Sequence, residues 1–163
     1  MAEGMGSPVA SDTPLPLDGI RVIDLTWIIA GPVCARLLAD NGAEVIKLES
    51  QRSMDPIRMG GPWLNGVNTG PEGGGAFTLF NRNKLSATLN LKHPEGVALF
   101  KRLVAISDVV LNNYTAGTMG RLGLGYDVLA EVNPGIVVAE LSGMGATGPY
   151  AGHSAYGQTL MAL

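Results

Sequence analysis

Short apolar runs alternate with helical apolar stripes along this chain, and their order predicts an architecture. IRVIDL (Ile20 to Leu25) is an apolar run of the kind found in a strand covered on both faces. Pro32 follows where a first helical turn accepts it, and Val33 to Asn41 keep a helical apolar face until Gly42 stops it. Cys34 falls at helical spacing with Ala30, Leu37 and Leu38, which predicts a small buried hydrophobe. EVIKLE (Glu44 to Glu49) reads as a second strand. Strand, helix and strand within about thirty residues form a βαβ unit, with parallel pairing and a right-handed crossover.

Ser50 to Gly75 shows no period and holds seven glycines and three prolines, which predicts one long loop of the kind that is functional or disordered. ATLNL (Ala87 to Leu91) returns to strand-like alternation. Pro94 suits the first position of a helix whose apolar face is Val97, Phe100, Leu103 and Val104. DVVLNN is a strand ending in two asparagines, YDVLAEVNPG a short helix stopped by Asn133-Pro134, and IVVAEL a further strand. Strands alternating with helices predict an α/β domain with a mainly parallel sheet.

Composition narrows the class. A chain of 163 residues, 46% hydrophobic and only 15% charged, with 23 glycines, fits one core-bearing domain of buried strands and tight turns. A net charge of −3 offers no backbone-tracking surface for nucleic acid. One cysteine excludes an intramolecular disulfide framework and a cysteine-based zinc cluster. Residues 1–15 lack a basic start and an apolar run, so they read as a flexible tail rather than a secretory signal, followed by one domain over 16–163. No apolar segment reaches the roughly 18 to 20 residues that span a membrane. The expectation is a soluble, cytoplasmic protein without membrane or nucleic-acid partners.

Ligands of open α/β sheets bind outside the carboxyl ends of the strands. Three such loops are rich in small residues or asparagine: Thr26 to Pro32, Asn112 to Thr115, and Ser142 to Gly145. Each alone reads as an ordinary strand-to-helix turn, but three at one sheet edge favour a binding crevice. Arg82, Lys84 and Lys92 gather beside the predicted helix start at His93-Pro94-Glu95, a pattern suited to an anionic ligand. GMGATG (Gly143 to Gly148) fits the dinucleotide fingerprint G-x-G-x-x-G and follows a strand, but Pro149-Tyr150 and Gly152 stand where its helix should begin. A glycine-rich loop with another purpose is the better reading. His93 and His153 have no metal-pair spacing and read as surface or cap residues. Asp24 and Glu140 end strands, where a ligand contact and a structural hydrogen bond account for them equally.

Several segments coincide, in order, with one family. PLDGIRVIDLTWIIAGPVCARLLADNGAEVIKLES, MDPIR, FTLFNRNKLSATLNLKHPEG, SDVVLNNYTAGTMGRLGL and LSGMGATGPYAG resemble the N-terminal part of the family III CoA-transferases. That family includes formyl-CoA and carnitine CoA-transferases and the α-methylacyl-CoA racemases. The resemblance covers Pro16 to Leu163 and implies a Rossmann-like fold that binds coenzyme A as substrate, without a metal. It places Leu89 and Lys92 beside the nucleotide end of CoA, and Asn113, Tyr114, Arg121 and Leu122 at positions that contact CoA. Ile28, Ile29 and Ala30 match the loop along which pantetheine and thioester run. Arg58 matches an Asp-Pro-x-Arg loop, where an ion pair with Asp55 accounts for it as well as ligand contact does.

The chain departs from the family pattern in three places. Ile29 stands where transferases often carry glutamine. Tyr156-Gly157 stands where racemases have His-Asp and formyl-CoA transferase has Tyr-Glu, so the racemase branch lacks its base. Family members are more than twice as long, and their nucleophilic aspartate lies beyond residue 163, so no catalytic residue is assigned within this chain. The resemblance thus implies the CoA-binding half of a transferase, truncated or split, inactive alone and joined to a homodimer mate or partner chain. A non-catalytic CoA-binding remnant or subunit is the alternative. A nucleotide-binding domain unrelated to CoA rests on GMGATG alone.

Overall fold

The computed structural model describes residues 14–162. Five strands, β1 (Arg21–Asp24), β2 (Glu44–Glu49), β3 (Lys84–Thr88), β4 (Val109–Asn112) and β5 (Val137–Glu140), pair in parallel in the order β3-β2-β1-β4-β5. Among the described residues six helices accompany them: α1 (Ala30–Asp40), α2 (Gly75–Asn81), α3 (Pro94–Val104), α4 (Thr118–Arg121), α5 (Tyr126–Val132) and α6 (Gly157–Met161). The chain winds from β1 outward to β3, then returns to the other side of β1 for β4 and β5. The sheet therefore has the Rossmann-like α/β topology, with its switch point between β1 and β4.

Alternation along each strand separates two cores. Ile23, Val110 and Leu48 face Phe100 and Val104 of α3 and Leu129 of α5. Val22, Val45 and Leu111 face Ala35 and Ala39 of α1. On this second face β1 and β2 turn from apolar to charged at their carboxyl ends: Val22 gives way to Asp24, and Val45 to Lys47 and Glu49. Asp24 pairs in register with Lys47, so the charges are brought side by side.

Helix α1 begins at Ala30, close to the expected start, but buries a different face. Gly31, Pro32, Ala35 and Ala39 are the buried positions, while Cys34 is half-buried and Leu37 is 52% exposed. Small residues at a spacing of four let the helix lie close to the sheet, and the larger apolar side chains are displaced to its flank. Helix α3 matches its expected face. His93 caps it by accepting from the Glu95 N–H at 3.3 Å, and Phe100 and Val104 are fully buried.

Strand β3 lies three residues before the expected stretch. Its pairing with β2 ends at Thr88, and Leu89 and Leu91 pack on the core from the following turn instead. An edge strand with exposed side chains needs no apolar alternation, so the pattern pointed to the turn. The long segment 50–75 is irregular as expected, apart from single 3-10 turns at Pro56–Met59 and Leu64–Gly66. Helices α2 and α4 carried no readable signal, being seven and four residues long and each preceded by a glycine. Of the expected tail, residues 1–13 lie outside the described residues. Among the described residues no helix is long and apolar enough to cross a membrane.

Gly96 shows how tightly α3 is docked: a methyl group added there would lie 2.0 Å from the Asn90 carbonyl oxygen. Gly96→Ala is expected to destabilise the chain by about 1–3 kcal/mol. Gly120→Ala, in α4 with nothing within 4 Å of the added carbon, should be neutral or stabilise by about 0.4–1 kcal/mol. Urea unfolding of both variants distinguishes these outcomes, and equal losses would contradict the tight docking of α3.

Candidate functional site

The carboxyl edge of the sheet is built around buried charge. Asp24 is fully buried at the end of β1. One of its oxygens accepts from the Thr26 N–H at 2.8 Å and the Thr26 hydroxyl at 2.5 Å; the other accepts from Lys84 Nζ at 2.7 Å. Lys84 Nζ also donates to the Pro32 carbonyl and to Asn81 Oδ1, both at 2.9 Å. Lys47 Nζ donates to the Thr26 carbonyl at 2.7 Å and to Asp55 Oδ2 at 3.2 Å. Asp55 Oδ1 accepts from the N–H groups of Ile28 and Ile57, each at 3.1 Å.

Arg58 has a different partner from the one expected. Its guanidinium grips Glu49 at 2.6 Å and Glu72 at 3.0 Å, and lies 3.6 Å from the centre of the Phe77 ring. Asp55 instead pairs with Lys47, because Lys47 projects from β2 beneath the loop that carries Asp55. Glu49 also accepts the Asp55 N–H at 2.7 Å, so both ion pairs brace the start of the long loop.

Across the switch point, Asn113 clamps the loop that follows β1. Its Oδ1 accepts from the Trp27 N–H and its Nδ2 donates to the Trp27 carbonyl, both at 2.8 Å. The Trp27 and Tyr114 rings meet edge to face with centroids 6.0 Å apart. Ile28 follows in the left-handed region at φ 70°.

A cavity of about 900 Å³ opens between the loops after β1, β4 and β5 and is closed on one side by α6. Ile28, Ile29 and Ala30 form an apolar wall, and Asn113 and Tyr114 also line it. Of the other expected site residues, Arg121 reaches its margin, donating at 2.7 Å to the hydroxyl of Thr118, which lines the cavity. Arg58, Leu89, Lys92 and Leu122 are not among the lining residues. Leu89 and Leu122 pack on the core, and Lys92 is exposed. Trp27 lies in the crevice loop expected after the first strand, Ser154 and Gln158 were not expected at the site, and His153, read as a surface or cap residue, is exposed, lines the cavity and meets Tyr150 edge to face. The usable signal for Trp27 was its place in the loop that follows the first strand. GMGATG follows β5 and forms turns, with no helix until Gly157, so it lacks the context of a dinucleotide fingerprint.

The sequence profile of CoA-transferase family III matches residues 17–163. The chain belongs to CoA-transferase family III. It is 47% identical over 140 residues to the succinyl-CoA–L-malate CoA-transferase beta subunit of Chloroflexus aurantiacus, covering 85% of this chain and 33% of that protein. It is 40% identical over 146 residues to the succinyl-CoA:glutarate CoA-transferase of Mus musculus, covering 89% of this chain and 32% of that protein. The crystal structure of a CAIB/BAIF family protein from Brucella suis superposes with a TM-score of 0.80 at 37% identity, over 90% of this chain and 38% of that one. The family III chain thus spans about a third of the length of the curated relatives it matches.

Burial and charge set the proton affinities of this family III site. Burial pushes the Tyr114 phenol up to about 12, with the Asp24 charge adding to it, so Tyr114 meets a ligand as a neutral hydroxyl. Burial lowers Lys84 from its ordinary value, against the pull of Asp24. Burial favours the neutral form of Glu49, but Arg58, the Asp55 amide and Lys47 outweigh it and hold the carboxyl below its ordinary 4.5.

A depressed carboxyl stabilises the fold fully above its unfolded value, and that contribution is lost as pH falls through the folded value. Glu49→Gln should therefore cost roughly 3 kcal/mol at neutral pH, the low end for breaking a buried pair because Glu72 still faces Arg58. It should also flatten the loss of stability below pH 4.5. Urea midpoints measured on both sides of that pH test this, and an acid limb as steep as in wild type would refute it.

Proposed function

We propose that this chain supplies the CoA-binding part of a CoA-transferase that moves CoA between an acyl-CoA and a carboxylic acid. The cavity at the switch point carries the reading. Its wall of Ile28, Ile29 and Ala30 suits the pantetheine arm and thioester, and Asn113 and Tyr114 add polar groups to the same space. Exposed Lys92 and Arg121 are the cations proposed for the phosphates, with Leu89 and Leu122 beside them. Arg58 is proposed to hold the site's supporting loop rather than the ligand, since Glu49, Glu72 and Phe77 occupy its guanidinium.

The proposed chemistry runs through an aspartyl intermediate. A carboxylate oxygen attacks the thioester carbon and expels CoA thiolate, leaving a mixed anhydride. The thiolate then attacks the aspartyl carbonyl, releasing the first acid and forming an enzyme–CoA thioester that the acceptor carboxylate resolves in turn. Among the described residues no Asp or Glu lines the cavity. Both oxygens of Asp24 are committed to Thr26 and Lys84. The nucleophile is therefore proposed to come from outside these residues, and the working enzyme to be a homodimer or a complex with a partner chain in the cytoplasm. Without that carboxylate the chain is a CoA binder that does no chemistry.

Calorimetric titration of the purified chain tests the ligand. CoA should bind and NAD should not, and Lys92→Ala or Arg121→Ala should each weaken CoA binding by about 1–3 kcal/mol. Tight NAD binding without CoA binding would sink the reading. Succinyl-CoA is the donor to try first, because both curated relatives carry it in their names. With an acceptor acid it should give no transfer, and hydroxylamine should trap no enzyme-bound acyl group. Transfer that disappears on replacing Asp24 or Glu140 would place the nucleophile in this chain.

A further inference from the structure

The Lys47–Asp55 pair lines neither the cavity nor the surface: its side chains are 2% and 0% exposed. A buried ion pair of this kind is poor support for stability, because apolar side chains of similar volume usually do as well. What distinguishes it is where its remaining hydrogen bonds go. Lys47 Nζ takes the carbonyl of Thr26, and Asp55 Oδ1 takes the N–H of Ile28. Between them, Asn113 holds both polar backbone groups of Trp27. Ile28 then sits at φ 70°, a conformation that a β-branched residue adopts only under constraint.

Ile28 is also the first of the three residues that form the apolar wall of the cavity. The bonds to Thr26, Trp27 and Ile28 fix the two peptide planes that precede the Ile28 N–Cα bond, and the docked start of α1 fixes the chain from Ala30 on, so Ile28 must join the two at positive φ. We propose that Lys47 and Asp55 are positioning residues, a buried pair that locks Ile28 in its left-handed conformation and so sets the wall on which the thioester arm of CoA lies. The ligand in this statement rests on the proposed function, whereas the lock is a property of the chain alone.

Two readouts keep them apart. In the ligand-free chain, the Ile28 amide should be protected from hydrogen exchange despite its place in a loop, and its Cα and Cβ chemical shifts should mark a left-handed residue. The charge-neutral double variant Lys47→Met/Asp55→Ala should lose both signatures and bind CoA roughly tenfold more weakly, a loss in the range that local backbone strain supports. Adding Ile28→Gly should bring affinity back to within about threefold of wild type, since glycine adopts positive φ freely. A merely structural pair would not be rescued by glycine at position 28.

An Ile28 amide that exchanges at an open-loop rate in wild type would overturn the lock, whether or not the double variant folds. A folded triple variant that stays as weak as the double variant would overturn it too. If wild type shows the protected, left-handed Ile28 but no CoA binding, the lock stands and the CoA reading falls.

Discussion

Two lysine ammonium groups withdrawn from water at the carboxyl edge of the sheet constrain everything around them. Lys47 and Lys84 project from β2 and β3 into the same layer, and each must find acceptors there or leave a buried charge uncompensated. The acceptors are Asp24 and the Thr26 carbonyl after β1, the Pro32 carbonyl in α1, Asp55 in the long loop and Asn81 at the end of α2. One electrostatic requirement thus ties together segments that are far apart in sequence. An apolar core would hold the same segments close without fixing their directions, because the hydrophobic effect has no preferred geometry and hydrogen bonds do.

The directions matter because the site lies immediately above this layer. Side chains from three other segments hold the backbone of Thr26, Trp27 and Ile28, so the cavity wall is in place before any ligand arrives. Preorganised groups of this kind lose little freedom on binding, which is where affinity and reactivity gain most. The topology supplies the position: a crevice opens where the winding of the sheet reverses, and the clamp of Asn113 on Trp27 bridges it.

Much of this was legible in one sequence, for reasons that differ by element. β1, β2, α3, β4 and β5 were readable because apolar runs and a 3.6-residue stripe survive in them. The buried face of α1 was not, because alanine and glycine give a weak apolar signal beside Leu37. β3 was displaced by Leu89 and Leu91, which pack on the core from a turn. The resemblance led to Ile28, Ile29, Ala30, Asn113 and Tyr114, which the fold brings together at one cavity. Lys47 was invisible as a site residue: in EVIKLE a lysine reads as the polar member of an alternating strand. Only the fold brings the Thr26 carbonyl and Asp55 to its tip.

The central claim is that CoA binds at this switch-point cavity, and peptide-resolved hydrogen exchange with and without CoA tests it most directly. Added CoA should slow exchange in segments 26–32, 113–118, 141–143 and 153–161, which line or flank the cavity, and leave the amino edge of the sheet unchanged. Protection confined to the opposite edge, around Gly42, Ala43 and Asp108, or no change anywhere at saturating CoA, would contradict the account.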